Sequence, residues 1–254
     1  MAAIQKKSAP QTFMDNCFVV FSQGYLIEQV KAYIEQRGVW SGKKGSQPRV
    51  LDIGCYDGRL FAFMSQSWTY TEYVGVDYQQ KYLDMAFTKQ SDRFKLMQCD
   101  ITSGLPFPDS HFDVVVSSEV FEHIESKNYP FIMSEIFRVL TPKGRAILGF
   151  PMNTLNKQFH SVEKELKSLG HVDFPVHETF IDTGKNVGFD FVNYDSSFAT
   201  SSSWRIPKET KVSKEYKTIR RTLGAAVARS IMMILSEDHT GGGFYTFDKP
   251  DTNT

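Results

Sequence analysis

The stretch that most constrains the fold of this chain is residues 49–60, Arg-Val-Leu-Asp-Ile-Gly-Cys-Tyr-Asp-Gly-Arg-Leu. Its first part, Val50–Ile53, is rich in β-forming apolar residues and is typical of a short buried strand. Gly54 and Gly58 then bracket a tight turn, and a helical pattern of apolar residues begins at Leu60. A strand, a glycine turn and a helix in this order place backbone N–H groups beside a ligand at the carboxyl edge of a sheet.

The charges of this loop indicate the kind of ligand. A dinucleotide-binding loop has the spacing G-x-G-x-x-G and places a pyrophosphate on the helix N-terminus. This loop has G-x-x-x-G instead, with Asp52 at the strand end and Asp57 inside the turn. Two carboxylates there would repel a pyrophosphate but suit a ligand with a cationic amine and no phosphate. S-adenosylmethionine (SAM) is such a ligand, and the alternative is an ordinary βα turn.

Composition excludes several function classes. The chain has 254 residues and zero formal net charge, so no global field attracts it to nucleic acid or membranes. Its three cysteines are too few for a disulfide framework, and its first residues lack the apolar core of a signal peptide. No apolar run approaches the roughly 18 residues of a membrane span. These features predict one α/β domain with additions, in the reduced cytoplasm.

Acidic residues end the next two predicted strands. Tyr73–Asp77 is the second strand, and Asp77 lies 25 residues beyond Asp52. This is about the distance at which βαβ folds place a carboxylate on ribose hydroxyls. The third predicted strand, 94–101, carries Asp100 near its end.

The alternation of strands and helices continues to residue 150 and resumes before the C-terminus. The continuous apolar run at 112–116 is typical of a central parallel strand. The remaining predictions are a helix at 128–140, a turn at 141–144, and strands at 145–150, 188–194 and 243–248.

Residues 49–77 and 94–150 together resemble a class I SAM-dependent methyltransferase of the type-11 domain family. Residues 49–60 are similar to the family motif D-x-G-x-G-x-G, with Tyr56 in place of the middle glycine. The blocks L-P-F-P-D, F-D-V-V, E-V-F-E-H-I and L-T-P-K-G-R then follow in family order. The resemblance implies an α/β, Rossmann-like, seven-stranded and mostly parallel sheet with helices on both faces.

Two additions flank or interrupt this predicted domain of residues 49–254. Residues 1–48 are expected to form an N-terminal helical cap and linker, which either covers the substrate site or packs on the sheet. Residues 195–241 are expected to be an insertion before the last strand. Its cations, at every third position from Arg205 to Arg220, belong either to a solvated segment or to a site for an anionic acceptor. Its apolar stretch 223–235 could pack on the sheet, form a homodimer contact or lie on a membrane, and packing is favoured.

The resemblance also implies the cofactor-binding residues. Asp52 and the Gly54–Gly58 backbone are expected to hold the methionine part, Asp77 the ribose, and Asp100 with Ile101 the adenine. The full predicted set is Asp52, Gly54, Cys55, Tyr56, Gly58, Asp77, Tyr78, Asp100, Ile101 and Ser117.

The acceptor side is expected to contain histidines. Methyl transfer from a sulfonium needs an aligned nucleophile, and a hydroxyl nucleophile also needs a general base, for which histidine is suited near neutral pH. His123 follows the fourth strand, where acceptors enter in the family, and His171 follows the fifth. The predicted catalytic residues are His123, His171 and Glu122, while His160 and His177 lie in the same later region.

A metal site is the alternative for this region. Glu119-x-x-Glu122-His123 resembles the metal site of Hen1-type small-RNA 2′-O-methyltransferases, with His171 or His177 as the missing ligand. On a helix, residues 119, 122 and 123 share one face, so their side chains could converge on an ion. Similar motifs occur in metal-free type-11 enzymes, and the metal-free interpretation is favoured.

These observations predict a SAM-dependent methyltransferase that acts on a small-molecule hydroxyl and releases S-adenosylhomocysteine. A metal-assisted RNA 2′-O-methyltransferase is one alternative, and nucleic acid is the disfavoured partner. A non-catalytic SAM-fold partner protein is the other, and Tyr56 is the feature that favours it.

Overall fold

The computed structural model describes residues 26–34, 48–64, 72–86, 90–150, 170, 172–173, 175–195 and 243–251. The strands in this part of the chain are β1 (Arg49–Ile53), β2 (Glu72–Asp77), β3 (Phe94–Gln98), β4 (Phe112–Ser118), β5 (Leu140–Phe150), β6 (Asp190–Asp195) and β7 (Gly243–Asp248). The α-helices there are α1 (residues 26–34), α2 (Arg59–Met64), α3 (Gln80–Leu83), α4 (Tyr129–Val139) and α5 (His177–Val187).

The strands described form one seven-stranded sheet in the order β3-β2-β1-β4-β5-β7-β6. Neighbours from β3 to β5 are parallel, whereas β7 pairs antiparallel with both β5 and β6. The predicted fold class is therefore confirmed. The strand order reverses between β1 and β4, and in open α/β sheets this switch point is where ligands bind, outside the carboxyl ends of the strands.

Helices cover both faces of the sheet. On one face, α4 and α5 pack with the sheet around Phe121, Phe150 and Phe180. On the other face, α1 contributes Leu26, Val30, Tyr33 and Ile34 to a second buried cluster. The Tyr33 hydroxyl also donates a hydrogen bond to the carbonyl of Lys143, so α1 is anchored on the sheet. Of the two alternatives for the N-terminal helix, packing on the sheet is the one found for residues 26–34.

The fifth strand differs from its prediction. It begins at Leu140 instead of Arg145 and contains the predicted turn 141–144 as an irregularity. Phe112 pairs with Leu140 and Val114 with Arg145, so the extra residues bulge out of the ladder, with Lys143 at a φ of 63°. The third strand is also shorter than predicted and ends at Gln98.

Several predictions fall outside the described residues. They are the insertion after Asp195, most of the N-terminal segment, and the histidines His160 and His171. Among the described helices, none is long and apolar enough to cross a membrane.

Candidate active site

The loop after β1 is shaped by two glycines with positive φ. Gly54 has a φ of 75° and Gly58 a φ of 71°, a region that side chains disfavour. A Cβ at Gly54 would lie 2.1 Å from Cγ2 of Val120, in the loop after β4. A Cβ at Gly58 would lie 3.1 Å from the ring of Phe94. The loop is therefore packed tightly against its neighbours, and only glycine fits at Gly54.

Tyr56 occupies the middle-glycine position of the motif. It has a φ of 56°, a left-handed conformation that glycine adopts more readily than tyrosine. Its ring centroid lies 4.3 Å from that of Tyr82 in α3, and the Arg59 guanidinium lies 4.5 Å from the Tyr56 centroid. The backbone N–H of Tyr56 donates a 3.1 Å hydrogen bond to Oδ2 of Asp77.

Asp77 presents a fixed, half-buried carboxylate at the carboxyl end of β2. Besides the bond from Tyr56, its Oδ1 accepts a 2.8 Å hydrogen bond from the backbone N–H of Gln79. A carboxylate has about four acceptor positions, so these two bonds orient the group and leave capacity for a diol. Next to it, the Tyr78 side chain is 67% exposed at the same edge.

The two other acids of the loop are not open carboxylates. Asp57 is buried and receives hydrogen bonds of 2.8 Å from both Nε and Nη2 of Arg59. Asp52 is buried and accepts a hydrogen bond from the hydroxyl of Tyr73. Burial raises the pKa of Asp52 to about 7, with a smaller contribution from Asp77, and the Tyr73 bond only partly opposes this. The predicted repulsion of a pyrophosphate by Asp52 and Asp57 is therefore largely neutralised, and Asp77 is the least buried carboxyl of the three.

Sequence reasoning did not identify Tyr73 and Arg59. For Arg59, the sequence does contain a local signal. Asp57 and Arg59 are two residues apart in a predicted turn, so the arginine side chain can reach back to the carboxylate. Tyr73 offers no such signal, since its contact with Asp52 joins two separate strands.

The predicted adenine residues and Cys55 are largely engaged within the fold. Asp100 caps the 3₁₀ helix Ile101–Ser103 and accepts bonds from both the amide and hydroxyl of Thr102. Ile101 is 8% exposed and belongs to the core. The Cys55 thiol is buried, which raises its pKa, and a Cβ on Gly75 would lie 2.7 Å from its sulfur. Only the backbone of Cys55 is thus a candidate for ligand contact.

The loop after β4 contains the predicted acceptor residues but is not an α-helix. Glu119 has a φ of 59°, and only Phe121–His123 forms a short 3₁₀ helix. The assumption that Glu119, Glu122 and His123 share one helical face is therefore wrong, because a left-handed residue interrupts the helical spacing. Just before this loop, the buried Ser117 hydroxyl has no hydrogen-bond partner within the described residues.

Glu122 and His123 lie in different environments. Glu122 is fully buried, and apart from the neighbouring carboxyl of Glu119 its carboxyl oxygens have no hydrogen-bond partner in the described part of the chain. Burial, followed by repulsion from Glu119, raises its pKa well above the usual value. His123 is exposed, and its Nδ1 lies 3.0 Å from the carbonyl oxygen of Gly170. Among the described residues, no group of three or more His, Cys, Asp or Glu side chains could hold a metal ion.

Of the two later histidines considered as ligands, the structure describes His177 but not His171. His171 lies outside the described residues, although its neighbours Gly170 and Val172 both contact the loop after β4. His177 begins α5, with Nδ1 2.9 Å from the hydroxyl of Tyr245 and its ring against Tyr194. The structure thus brings His123 and the neighbours of His171 together, and holds His177 in an aromatic cluster.

Known proteins resemble this chain in sequence and in fold. Residues 51–148 match the family model for a methyltransferase domain, the type-11 family that the motifs resemble. Phosphoethanolamine N-methyltransferase 1 of Zea mays is 25% identical over 179 residues, which are 68% of this chain and 34% of the maize protein. The chain spans about a third of the length of the maize and wheat relatives it matches.

Solved structures share the fold at low identity. Phosphoethanolamine N-methyltransferase 2 of Haemonchus contortus, in complex with S-adenosyl-L-methionine, has a TM-score of 0.56 and 20% identity, covering 83% of this chain and 50% of that one. The [4+2]-cyclase SpnF has a TM-score of 0.54 and 19% identity, covering 81% and 75%. The fold is thus established, while the cyclase shows that the fold alone does not define the reaction.

Proposed function

We propose that this chain methylates a small-molecule acceptor with SAM. Residues 51–148 match the family model for a methyltransferase domain, and the chain has the class I SAM-dependent methyltransferase fold. The observation that carries the proposal is the Asp77 carboxylate. It is fixed by the N–H groups of Tyr56 and Gln79 at the carboxyl end of β2, the strand next to β1, and it lies beside the glycine loop. This geometry supports recognition of a ribose diol.

The roles of the other predicted residues are proposals too. The Gly54–Gly58 backbone faces the methionine part of SAM, and Asp52, buried behind it, supports the loop through Tyr73. Tyr78, exposed after Asp77, lies beside the ribose and adenine. Asp100 and Ile101 bound the adenine side, and Ser117 lies at the end of β4 opposite Ile53.

The proposed acceptor is a hydroxyl oxygen, with His123 as general base. The Gly170 carbonyl can only accept a hydrogen bond, so the proton of neutral His123 is on Nδ1 and its lone pair on Nε2. Nε2 takes the hydroxyl proton as the oxygen attacks the methyl carbon. The carbon–sulfur bond breaks, its electrons stay on sulfur, and the products are a methyl ether and S-adenosylhomocysteine.

A second candidate acceptor is an amine. Two observations favour it: the maize and wheat relatives are named as phosphoethanolamine N-methyltransferases, and Glu122 is a buried carboxyl without a hydrogen-bond partner among the described residues apart from Glu119. Glu119 adds a second acid beside it. A cationic amine beside these two acids would offset the cost of burying Glu122, whereas a neutral hydroxyl would not. The proton released by an amine also needs a base such as His123.

The first test is calorimetric titration of the protein with SAM and S-adenosylhomocysteine, with and without chelator. We expect micromolar binding of both in either condition, and absence of binding would contradict the proposal. The acceptor is then sought by transfer of labelled methyl groups to small alcohols, phenols and primary amines, including phosphoethanolamine. Labelling of alcohols or phenols supports the hydroxyl proposal, and labelling confined to amines supports the second candidate.

A further inference from the structure

The loop after β4 is hydrogen-bonded to a segment that lies about 47 residues later in the sequence. We call its described residues Gly170, Val172 and Asp173 the 170–173 segment. The backbone carbonyl of Glu122 accepts hydrogen bonds from the N–H of Val172 at 2.8 Å and of Asp173 at 3.3 Å. The bond between His123 and Gly170 lies beside them, so adjacent residues of the loop contact the segment on both sides of residue 171.

A second attachment lies on the other side of His123. The Asp173 carboxylate, through Oδ2, accepts a 3.0 Å hydrogen bond from the N–H of Ser126. Ser126 begins the 3₁₀ helix Ser126–Asn128, whose first N–H groups have no partner within that helix. Asp173 therefore caps this helix and fixes the distance between the segment and the loop, with His123 between the two attachments.

The contact with Gly170 determines which ring nitrogen carries the proton when the imidazole of His123 is neutral. A carbonyl oxygen accepts and never donates a hydrogen bond, so Gly170 selects the tautomer with the proton on Nδ1. Free histidine prefers its proton on Nε2, the opposite arrangement. Gly170 itself has a φ of 89°, which a residue with a side chain adopts only with strain. The orientation of its carbonyl thus depends on a glycine at this position.

We propose that Gly170 and Asp173 are positioning residues, which hold the His123 imidazole in one orientation with its proton on Nδ1 and its lone pair on Nε2. The catalytic meaning of this arrangement rests on the proposed function, in which Nε2 of His123 is the base. The arrangement itself is a property of the protein without acceptor. It can therefore be measured even if the proposed function is wrong.

The experiment is long-range proton–nitrogen NMR of the ¹⁵N-labelled full chain, with the His123 signals assigned from a His123→Gln spectrum. The spectra are recorded at about pH 9, where an ordinary imidazole is neutral. In the wild type we then expect Nε2 to have the shift of an unprotonated ring nitrogen. In Gly170→Ala and Asp173→Ala, the tautomer ratio should move toward Nε2–H by about fivefold, as the loss of one ordinary hydrogen bond predicts. In Asp173→Asn, whose amide oxygen can still accept from Ser126, the wild-type ratio should return.

Two control variants separate this effect from general destabilisation. Gly188→Ala replaces another left-handed glycine, with a φ of 111° at the end of α5, and Asp190→Ala removes an exposed carboxylate from β6. Both should leave the His123 spectrum unchanged. A wild-type Nε2 that is protonated, or an unchanged ratio in both Gly170→Ala and Asp173→Ala, would overturn the proposal.

A methyl-transfer assay then tests separately whether the orientation of His123 matters for catalysis. The probe acceptor is an alcohol or phenol that the wild type labels, or phosphoethanolamine if labelling is confined to amines. With it, Gly170→Ala and Asp173→Ala should lower kcat at least several-fold and alter its pH profile, while SAM affinity stays unchanged. If the wild type binds no SAM and methylates nothing, the proposed function fails, and the NMR result still decides whether the segment positions His123.

Discussion

The backbone N–H of Tyr56 donates a 3.1 Å hydrogen bond to Oδ2 of Asp77, between the loop after β1 and the end of β2. Tyr56 itself has a left-handed conformation, with a φ of 56°. A residue that departs from the family motif therefore orients the carboxylate proposed to bind the ribose. The Tyr56 ring packs on Tyr82, so a tyrosine in place of the middle glycine of the motif is compatible with an open cofactor site.

The first prediction concerns Asp77. Asp77→Ala should weaken SAM binding by roughly 1–3 kcal/mol, about 5- to 150-fold, because hydrogen bonds to a charged group are lost. Calorimetric titration measures the change. Asp92→Ala is the matched control, since Asp92 is an exposed acid in the turn before β3. Unchanged affinity in Asp77→Ala would refute the ribose role.

The second prediction concerns Tyr56. Tyr56→Gly removes a strained left-handed residue and retains the N–H that Asp77 accepts, but it also removes the ring that packs against Tyr82 and Arg59. The strain relieved is about 1–2 kcal/mol, and the aromatic and cation–π interactions of the ring are of similar size, so the free energy of unfolding should change little. SAM affinity should stay within about threefold, because the bond to Asp77 is kept.

Chemical denaturation and calorimetric titration measure these two quantities. Tyr56→Phe, which keeps the ring and the strain, is the control. A large gain in SAM affinity in Tyr56→Gly alone would mean that the tyrosine ring obstructs the site, as the partner-protein alternative requires.

The third prediction concerns the pH dependence of stability. Asp52 has a pKa of about 7 in the folded protein and 3.8 as its ordinary value, so the folded state holds a proton that the unfolded chain has released in this interval. The free energy of unfolding should therefore fall as the pH rises from about 4 to 7, and the decline due to Asp52 ends above its folded pKa. A shift of this size corresponds to about 4 kcal/mol.

Urea denaturation at a series of pH values tests this sign. Asp52→Asn should flatten the decline relative to the wild type, leaving the contribution of Glu122, which has the same direction. Tyr73→Phe removes the hydrogen bond that favours the carboxylate, so its decline should extend to higher pH. If Asp52→Asn and the wild type have equal slopes, Asp52 has an ordinary pKa in the folded state.

The fourth prediction concerns metal ions. Methyl transfer and SAM binding should be unchanged in EDTA, because Glu122 is buried while His123 is exposed and pairs with Gly170. Radiolabel transfer before and after re-addition of Mg²⁺ or Mn²⁺ measures this. Activity lost in EDTA, restored by Mn²⁺ and absent in Glu122→Ala would instead support the metal-assisted RNA methyltransferase.

The sheet was predictable because its strands are local patterns. In a run such as Val114–Val116, apolar side chains point to both faces of the strand, and all three residues are buried. Burial on both faces is typical of a central strand in a parallel sheet. Asp77 at the end of β2 could be found for the same reason, since a polar residue after an apolar run marks the edge of the sheet. The prediction that β5 begins only after a turn at 141–144 was wrong, because the pairing of Leu140 with Phe112 places the start of β5 before these residues.

The loop after β4 could not be predicted from spacing. The pattern Glu119-x-x-Glu122-His123 converges only on a regular helix, and the positive φ of Glu119 prevents one. Nothing local in the sequence indicates that conformation. It accompanies a hydrogen bond from the Glu119 N–H to the carbonyl of Gly149, on the neighbouring strand β5.

The sequence by itself determined the order of strands and helices, the glycine loop and the acid that follows β2, because these depend on residues close together in the chain. Only the tertiary structure decided the charge and orientation of the site. It pairs Asp52 with Tyr73 and His123 with Gly170, contacts between segments far apart in sequence. Protonation depends on burial and on such partners, and both exist only once distant segments have packed together.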